Sequence, residues 1–234
     1  MYDVYGDIVV GSGDLKKIEL LKAGKRKIYT RSSFKSDYRV FETQWVSPYV
    51  QKKFDSRYVH RENGFLFYGD IKQCYFSPRY ATERKKLQDL LKNYDLKKGI
   101  IIGSGISPFT VYLSQVVKDL TEYEINERAI HYGRINLNLN NCNALTHNKA
   151  YNSECSDLVV SVIPTIKWDF HLQYNFKKVC VFYVLLSTSQ ITLFESLLKK
   201  TYNCTYEKFK VRPYSKQICI YRYLCVNSGI NPRA

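Results

Sequence analysis

The 234-residue chain has no two cysteines spaced as a CxxC pair, no apolar run long enough to cross a bilayer, and no internal repeat or low-complexity tract. Each absence removes a class of protein. Seven cysteines lie scattered at 74, 142, 155, 180, 204, 219 and 225. That spacing does not suit a zinc site, and an odd, dispersed set argues against a disulfide framework. Cys180 and Cys219 fall in apolar alternating segments, which predicts buried thiols. The longest apolar run, around Val179–Leu186, is too short for a membrane helix. The first ten residues contain Asp3 and Asp7, with no apolar core after a basic start, so no secretory signal is expected. The expectation is a soluble, cytoplasmic protein.

Acid is also scarce. Asp and Glu number 21 against 36 Lys and Arg, a formal charge of +15 and a pI near 9.4. Such an excess favours polyanionic partners, nucleic acid before an anionic membrane surface. A merely solvated basic surface is the plainer alternative. Hydrophobic residues make up 45% and charged residues 24%, the balance of a globular chain rather than a disordered one. The length suits one large domain or two modest ones.

Residues 1–72 read as short β segments forming a small α+β module. Strand candidates are Tyr5–Val10, Lys27–Thr30, Arg39–Val46 and Phe65–Tyr68, separated by Gly, Ser, Asp and Asn turn signals. Residues 73–234 change character. Leu87, Leu90 and Leu91 recur at helical spacing within Ala81–Tyr94. Strand Ile100–Ile102 follows, then helix Pro108–Leu120 and helix Glu127–Leu139. Strands Leu158–Val162 and Lys178–Leu186, helix Ser189–Leu198 and an alternating segment Gln217–Cys225 complete the chain. Strands alternating with helices predict a mostly parallel, doubly wound α/β sheet.

Ligands of such sheets bind beyond the carboxyl ends of the strands. The first such end is Ile102-Gly103-Ser104-Gly105, where small residues let the backbone approach a ligand. A tight turn without a ligand would use the same residues. Glu124 ends the next strand about 20 residues later, where an acid can accept both ribose hydroxyls of an adenosyl group. Asn126 suits the N-cap of helix 127–139.

Glu124-x-Asn126, Ala129, Asn136 and Asn140 together resemble the tRNA position-37 modification superfamily. It includes the guanine-37 N1-methyltransferases and the aminocarboxypropyl transferases of wybutosine synthesis. The resemblance continues through Glu62-Asn63-Gly64, Asp70, Gln73-Cys74, Phe76-Ser77-Pro78-Arg79 and Glu83-Arg84. It reaches Tyr5-Gly6-Asp7-Ile8-Val9 at one end and Lys210-Val211-Arg212-Pro213-Tyr214 at the other. It implies a Rossmann-like S-adenosylmethionine-dependent methyltransferase fold, S-adenosylmethionine as cofactor, and tRNA as partner, bound at its anticodon region, with tRNA-Phe the expected species. Implied cofactor contacts are Ser77, Arg84, Glu124 and Asn148, together with the turn at Gly103 and Gly105. Implied substrate-handling residues are Arg39, Glu83 and Pro164, with Glu83 accepting a proton from the ring.

Two branches compete. Tyr75–Arg79, Glu83-Arg84 and Pro108-Phe109 resemble the methyltransferases, whose Asn-x-Pro loop is here Val162-Ile163-Pro164. Ile163-Pro164-Thr165 with Trp168, Gln73-Cys74 and Asn148-Lys149 resemble the aminocarboxypropyl branch, although His147 replaces its Asp. Ile101 and Ser107 stand where both branches carry Asp and a second Gly. Valine has no hydrogen-bonding group for a buried guanine edge, so the residues favour 3-amino-3-carboxypropyl transfer to a wyosine-type base. N1-methylation of guanine 37 is the alternative, and a catalytically degenerate tRNA-binding protein a third. Lys25, Arg26, Lys27, Lys52, Lys53 and Arg57 are the candidate RNA contacts.

Overall fold

The computed structural model describes residues 2–11, 27–35, 40–45, 55–151, 153–163 and 174–230. The first sheet holds β1 (Tyr2–Tyr5), β2 (Ile8–Gly11), β3 (Lys27–Lys35) and β4 (Val40–Trp45), in that order. The single strand expected over Tyr5–Val10 is instead a hairpin, because the chain reverses at Gly6. Gly6 has φ +56°, and a Cβ there would lie 2.1 Å from the Val59 carbonyl oxygen. Only glycine fits that turn.

A second hairpin joins β5 (Arg57–Glu62) to β6 (Phe65–Asp70). Asn63 and Gly64 both have positive φ, as a two-residue hairpin turn requires. The 3₁₀ turn Pro78–Tyr80 runs into α1 (Ala81–Leu91). Next come β7 (Lys98–Ile102), α2 (Pro108–Leu113), β8 (Asp119–Tyr123), α3 (Glu127–Leu139) and β9 (Leu145–His147). The chain continues with β10 (Ser156–Ser161), β11 (Phe176–Ser187), α4 (Thr188–Thr201), β12 (Cys204–Pro213) and β13 (Ile218–Asn227). The helix expected over 108–120 stops at Leu113, since the segment from Asp119 is drawn into the sheet beside β7.

The main sheet has the order β12-β13-β11-β10-β7-β8-β9. Its pairs from β11 through β9 are parallel, and β13 and β12 add antiparallel. Both faces of the central strands are buried, as a parallel sheet demands. Ile101, Val160 and Val181 pack with Leu87 and Phe109 on one face. Ile100, Val159 and Phe182 pack with Phe194 and Leu198 on the other. Cys180 is buried as expected, whereas Cys219 is only partly so.

Helix α3 holds the second hairpin by side chains. Asn136 Oδ1 accepts from the Tyr68 amide at 2.6 Å, and its Nδ2 donates to the Tyr68 carbonyl at 3.0 Å and the Ile106 carbonyl at 2.9 Å. One turn on, Asn140 does the same to Leu66, at 2.9 and 2.7 Å. Residues four apart share a helix face, so two asparagines supply the edge of β6 with the partners a third strand would give.

Candidate functional site

Strand β7 lies between β8 and β10, so the chain builds the sheet first to one side of β7 and later to the other. A cleft of about 260 Å³ opens there, where open α/β sheets bind their ligands. Its walls are largely apolar and aromatic, with Phe76, Phe109, Ile125, Val162, Ile163 and Tyr183 among them.

The turn after β7 forms one side. Gly103 (φ +73°) has its amide on the Tyr123 carbonyl at 2.8 Å, and a Cβ there would sit 2.6 Å from Ile163. Gly105 (φ +59°) donates its amide to Glu124 Oε2 at 2.8 Å. Glu124 Oε1 accepts from the amides of Ile125 and Asn126, both at 2.9 Å. The acid at the end of β8 thus ties together the two strand-end loops, and Asn126 caps α3 through the Arg128 amide. Ser104, between the glycines, also lines the cleft. Its Oγ is buried without a hydrogen-bond partner among the described residues.

The residues that depart from the superfamily pattern have places of their own. Ile101 is fully buried in the core. Ser107 adopts φ +65°, a left-handed conformation that usually falls to glycine. Its Oγ donates to Glu122 Oε1 at 2.9 Å. Thr110 and Thr146 also donate to this buried carboxylate, at 2.6 and 2.9 Å. Burial raises the Glu122 pKa against the pull of those three hydroxyls.

Ser77, Arg84, Gly103, Gly105 and Glu124 meet at the cleft. Arg84, although charged, is part of the buried interior of the site. It is 2% exposed, and its Nε and Nη2 each reach a Glu62 carboxylate oxygen at 2.7 Å. Nη2 also donates to the Ser77 carbonyl at 3.2 Å, which fixes the segment before the 3₁₀ turn. Burial works against ionised Glu62, but His60 and Arg84 outweigh it and hold its carboxyl below the ordinary value.

Two expected residues fall elsewhere. Asn148 is outside the cleft wall, its Nδ2 donating to Glu127 Oε1 at 3.1 Å on the surface. Lys149, Ala150 and Tyr151 line the cleft instead. Glu83 is buried behind the wall. Its Oε1 accepts from Arg222 at 2.5 Å and from Tyr183 at 3.0 Å, and it is Tyr183 that lines the cleft. Burial raises the Glu83 pKa, with Arg222 pulling the other way. Arg39, Pro164, Thr165 and Trp168 lie outside the described residues. So do Lys25, Arg26, Lys52, Lys53 and the side chain of Lys27; Arg57 is exposed and ion-paired with Asp55 at 2.7 Å.

Sequence reasoning did not single out Ser104, Tyr183 or the Glu62 partner of Arg84. Ser104 had a signal, its place between two glycines. The other two had none, because Glu62 is 22 residues from Arg84 and Tyr183 is 100 from Glu83.

A glycine turn after the first parallel strand, an acid ending the second, and a cleft between them on this seven-stranded sheet define a Rossmann-like methyltransferase fold. Residues 58–165 match the TRM5/TYW2 methyltransferase domain. The chain is similar to Taw22 of Nanoarchaeum equitans, a tRNA (guanine(37)-N(1))/4-demethylwyosine(37)-methyltransferase. Identity is 31% over 152 residues, covering 62% of this chain and 50% of the relative. It is 27% identical over 155 residues to Trm5b of Methanocaldococcus jannaschii, a tRNA (guanine(37)-N(1))-methyltransferase, covering 59% and 43%. The chain thus spans half or less of the length of the curated relatives it matches. Among solved structures, aTrm5 in complex with tRNALeu superposes with a TM-score of 0.80 at 22% identity, over 97% of this chain and 72% of that one. M. jannaschii TYW2 in complex with AdoMet gives 0.68 at 18%, over 97% and 98%. At such identities these structures speak to the fold alone.

Proposed function

We propose that the protein is an S-adenosylmethionine-dependent transferase that modifies the purine at position 37 of a tRNA. The observation that carries this reading is the Gly105–Glu124 clasp, an acid on one strand end bonded to the glycine turn of the next, with an open apolar cleft beside it. The cleft residues fit the cofactor. Gly103 lets Ile163 close against the turn where any side chain would clash, and Ser104 Oγ is a buried group without a partner among the described residues. Glu124 uses three carboxylate bonds on backbone amides and retains acceptor capacity for a ribose hydroxyl. Ile125, 46% exposed, offers apolar surface for the adenine. When bound, S-adenosylmethionine supplies a carbon activated by its sulfonium leaving group.

The chain's own part is to align the purine, exclude water and receive a proton. Phe76, Phe109 and Tyr183 give an aromatic seat for a ring. Glu83 is a buried carboxylate behind that seat, joined to it through the Tyr183 hydroxyl. The charge of +15 and the names of the curated relatives support tRNA as the substrate, contacted near the anticodon.

Methyl transfer to guanine is supported by those relatives, all named as methyltransferases. Aminocarboxypropyl transfer is supported by one observation. Val162 and Ile163 form an apolar wall where the methyltransferase pattern has Asn, which suits a larger tricyclic base better than a guanine edge. The test is incubation with S-adenosylmethionine and either unmodified or wyosine-type tRNA-Phe, followed by chromatography of the spent cofactor. S-adenosylhomocysteine marks methylation and 5′-methylthioadenosine marks aminocarboxypropyl transfer. Neither product, from folded protein, would overturn the enzymatic reading in favour of a tRNA-binding one.

A further inference from the structure

The segment Lys210–Tyr214 has no place in the cofactor cleft, yet its arginine is oddly situated. Along β12, alternate side chains point to opposite faces of the sheet. Lys208 is opposite Tyr223 and faces α4, where it pairs with Glu195 at 2.8 Å. Lys210 is opposite Tyr221, which packs in the same α4-side core. Arg212 would follow them by simple alternation. Instead a bulge at Val211 shifts the register, so that Lys210 pairs with Tyr221 and Arg212 with the very next residue back, Ile220. One extra residue moves a side chain to the other face, and Ile220 belongs to the core on the α1 side. Arg212 is accordingly found over the ring of Tyr80, its guanidinium carbon 5.2 Å from the ring centroid.

Tyr80 lines the cleft. Arg212 is partly buried, and its Nε is fully buried with no hydrogen-bond partner among the described residues. The nearby acid is already matched, since Glu83 is held by Arg222 and Tyr183. Arg222 and Lys86 both sit over Phe209, two more cations on the same face. A buried guanidinium N–H without an acceptor is costly. Guanidinium is also the donor best shaped for a planar or tetrahedral oxyanion.

We propose that Arg212 is an oxyanion-binding residue at the edge of the cleft, re-aimed there by the Val211 bulge. The oxyanion is a phosphate of the RNA flanking the target purine or the carboxylate of S-adenosylmethionine. The inference rests on the functional reading above and adds a residue that reading does not use.

The test compares wild type with Arg212→Met, which keeps the bulk of the stem, and Arg212→Lys, which keeps the charge. tRNA binding is measured between 50 and 200 mM KCl, and S-adenosylmethionine binding by calorimetry. If the ligand is phosphate, Arg212→Met weakens tRNA binding several-fold and lowers the log–log salt slope by about 0.7, the value of one phosphate contact on a single strand. Cofactor affinity then stays the same, and Arg212→Lys recovers most of the salt slope. If the ligand is the carboxylate, Arg212→Met weakens the cofactor and leaves the salt slope alone. Unchanged binding of both by either folded variant overturns the Arg212 site and leaves the functional reading standing. Failure of wild type to bind either ligand overturns both.

Discussion

Gly133 makes room for Ser107: a Cβ on Gly133 would lie 2.5 Å from Ser107 Oγ. The glycine that the superfamily pattern places in the cofactor loop is absent at 107, and a glycine on the facing helix accommodates the hydroxyl. Gly133→Ala should gain about 1 kcal/mol of helix propensity. It should lose more, since overpacking costs about 1–3 kcal/mol and Ser107 is fixed to buried Glu122. The expected net effect is destabilisation in a urea melt. Adding Ser107→Gly should restore more stability to the Gly133→Ala protein than it gives wild type. Additive effects would refute the pairing.

Arg84 and Glu62 form a buried pair, with side chains 2% and 4% exposed. Removing one partner of such a pair costs about 3–5 kcal/mol, so Arg84→Met should be severely destabilised by denaturant titration. The pH dependence has a definite sign. The folded pKa of Glu62 is lowered, so its contribution is complete above the unfolded value and is lost as pH falls through the lower folded value. Wild type should therefore lose stability on acidification more steeply than Glu62→Gln. Parallel curves would contradict this.

Glu124→Ala should weaken S-adenosylmethionine binding by about 1–3 kcal/mol, the scale of hydrogen bonds to a charged group. The substitution also unties Gly105 from Asn126, so part of the loss comes from a loosened turn. Calorimetry on folded protein is the measurement, and an unchanged Kd would remove Glu124 from the cofactor site.

Asn136→Leu should leave the Tyr68 amide and carbonyl unpaired at a buried joint. Each orphaned group costs about 1–3 kcal/mol, so a large drop in thermal stability is expected. Asn140→Leu, at the more exposed end of the joint, should cost less.

Helix 127–139 was legible to the residue, because its apolar spacing is regular and Asn126 announces its start. The end of the helix after Pro108 was not. A continuous apolar run serves a buried helix and a buried strand equally, and β8 takes its first residues from that run. Strand β12 escaped notice because it lies at the sheet edge and presents Glu207, Lys208, Phe209 and Lys210 to solvent. The cleft turn and Glu124 could be placed by spacing from the strands. Glu83 could not be seen behind Tyr183, nor Arg212 over Tyr80, since both depend on pairings across more than 90 residues.

The asparagines of α3 have a consequence for how the protein opens. A two-stranded hairpin is marginal in water by itself, and β6 leans on Asn136 and Asn140 for the hydrogen bonds of its outer edge. Exchange of the Tyr68 and Leu66 amide protons therefore requires α3 to leave the hairpin. Those two protons, though early in the chain, should exchange with the same free energy as the amides of α3 and keep time with the large sheet.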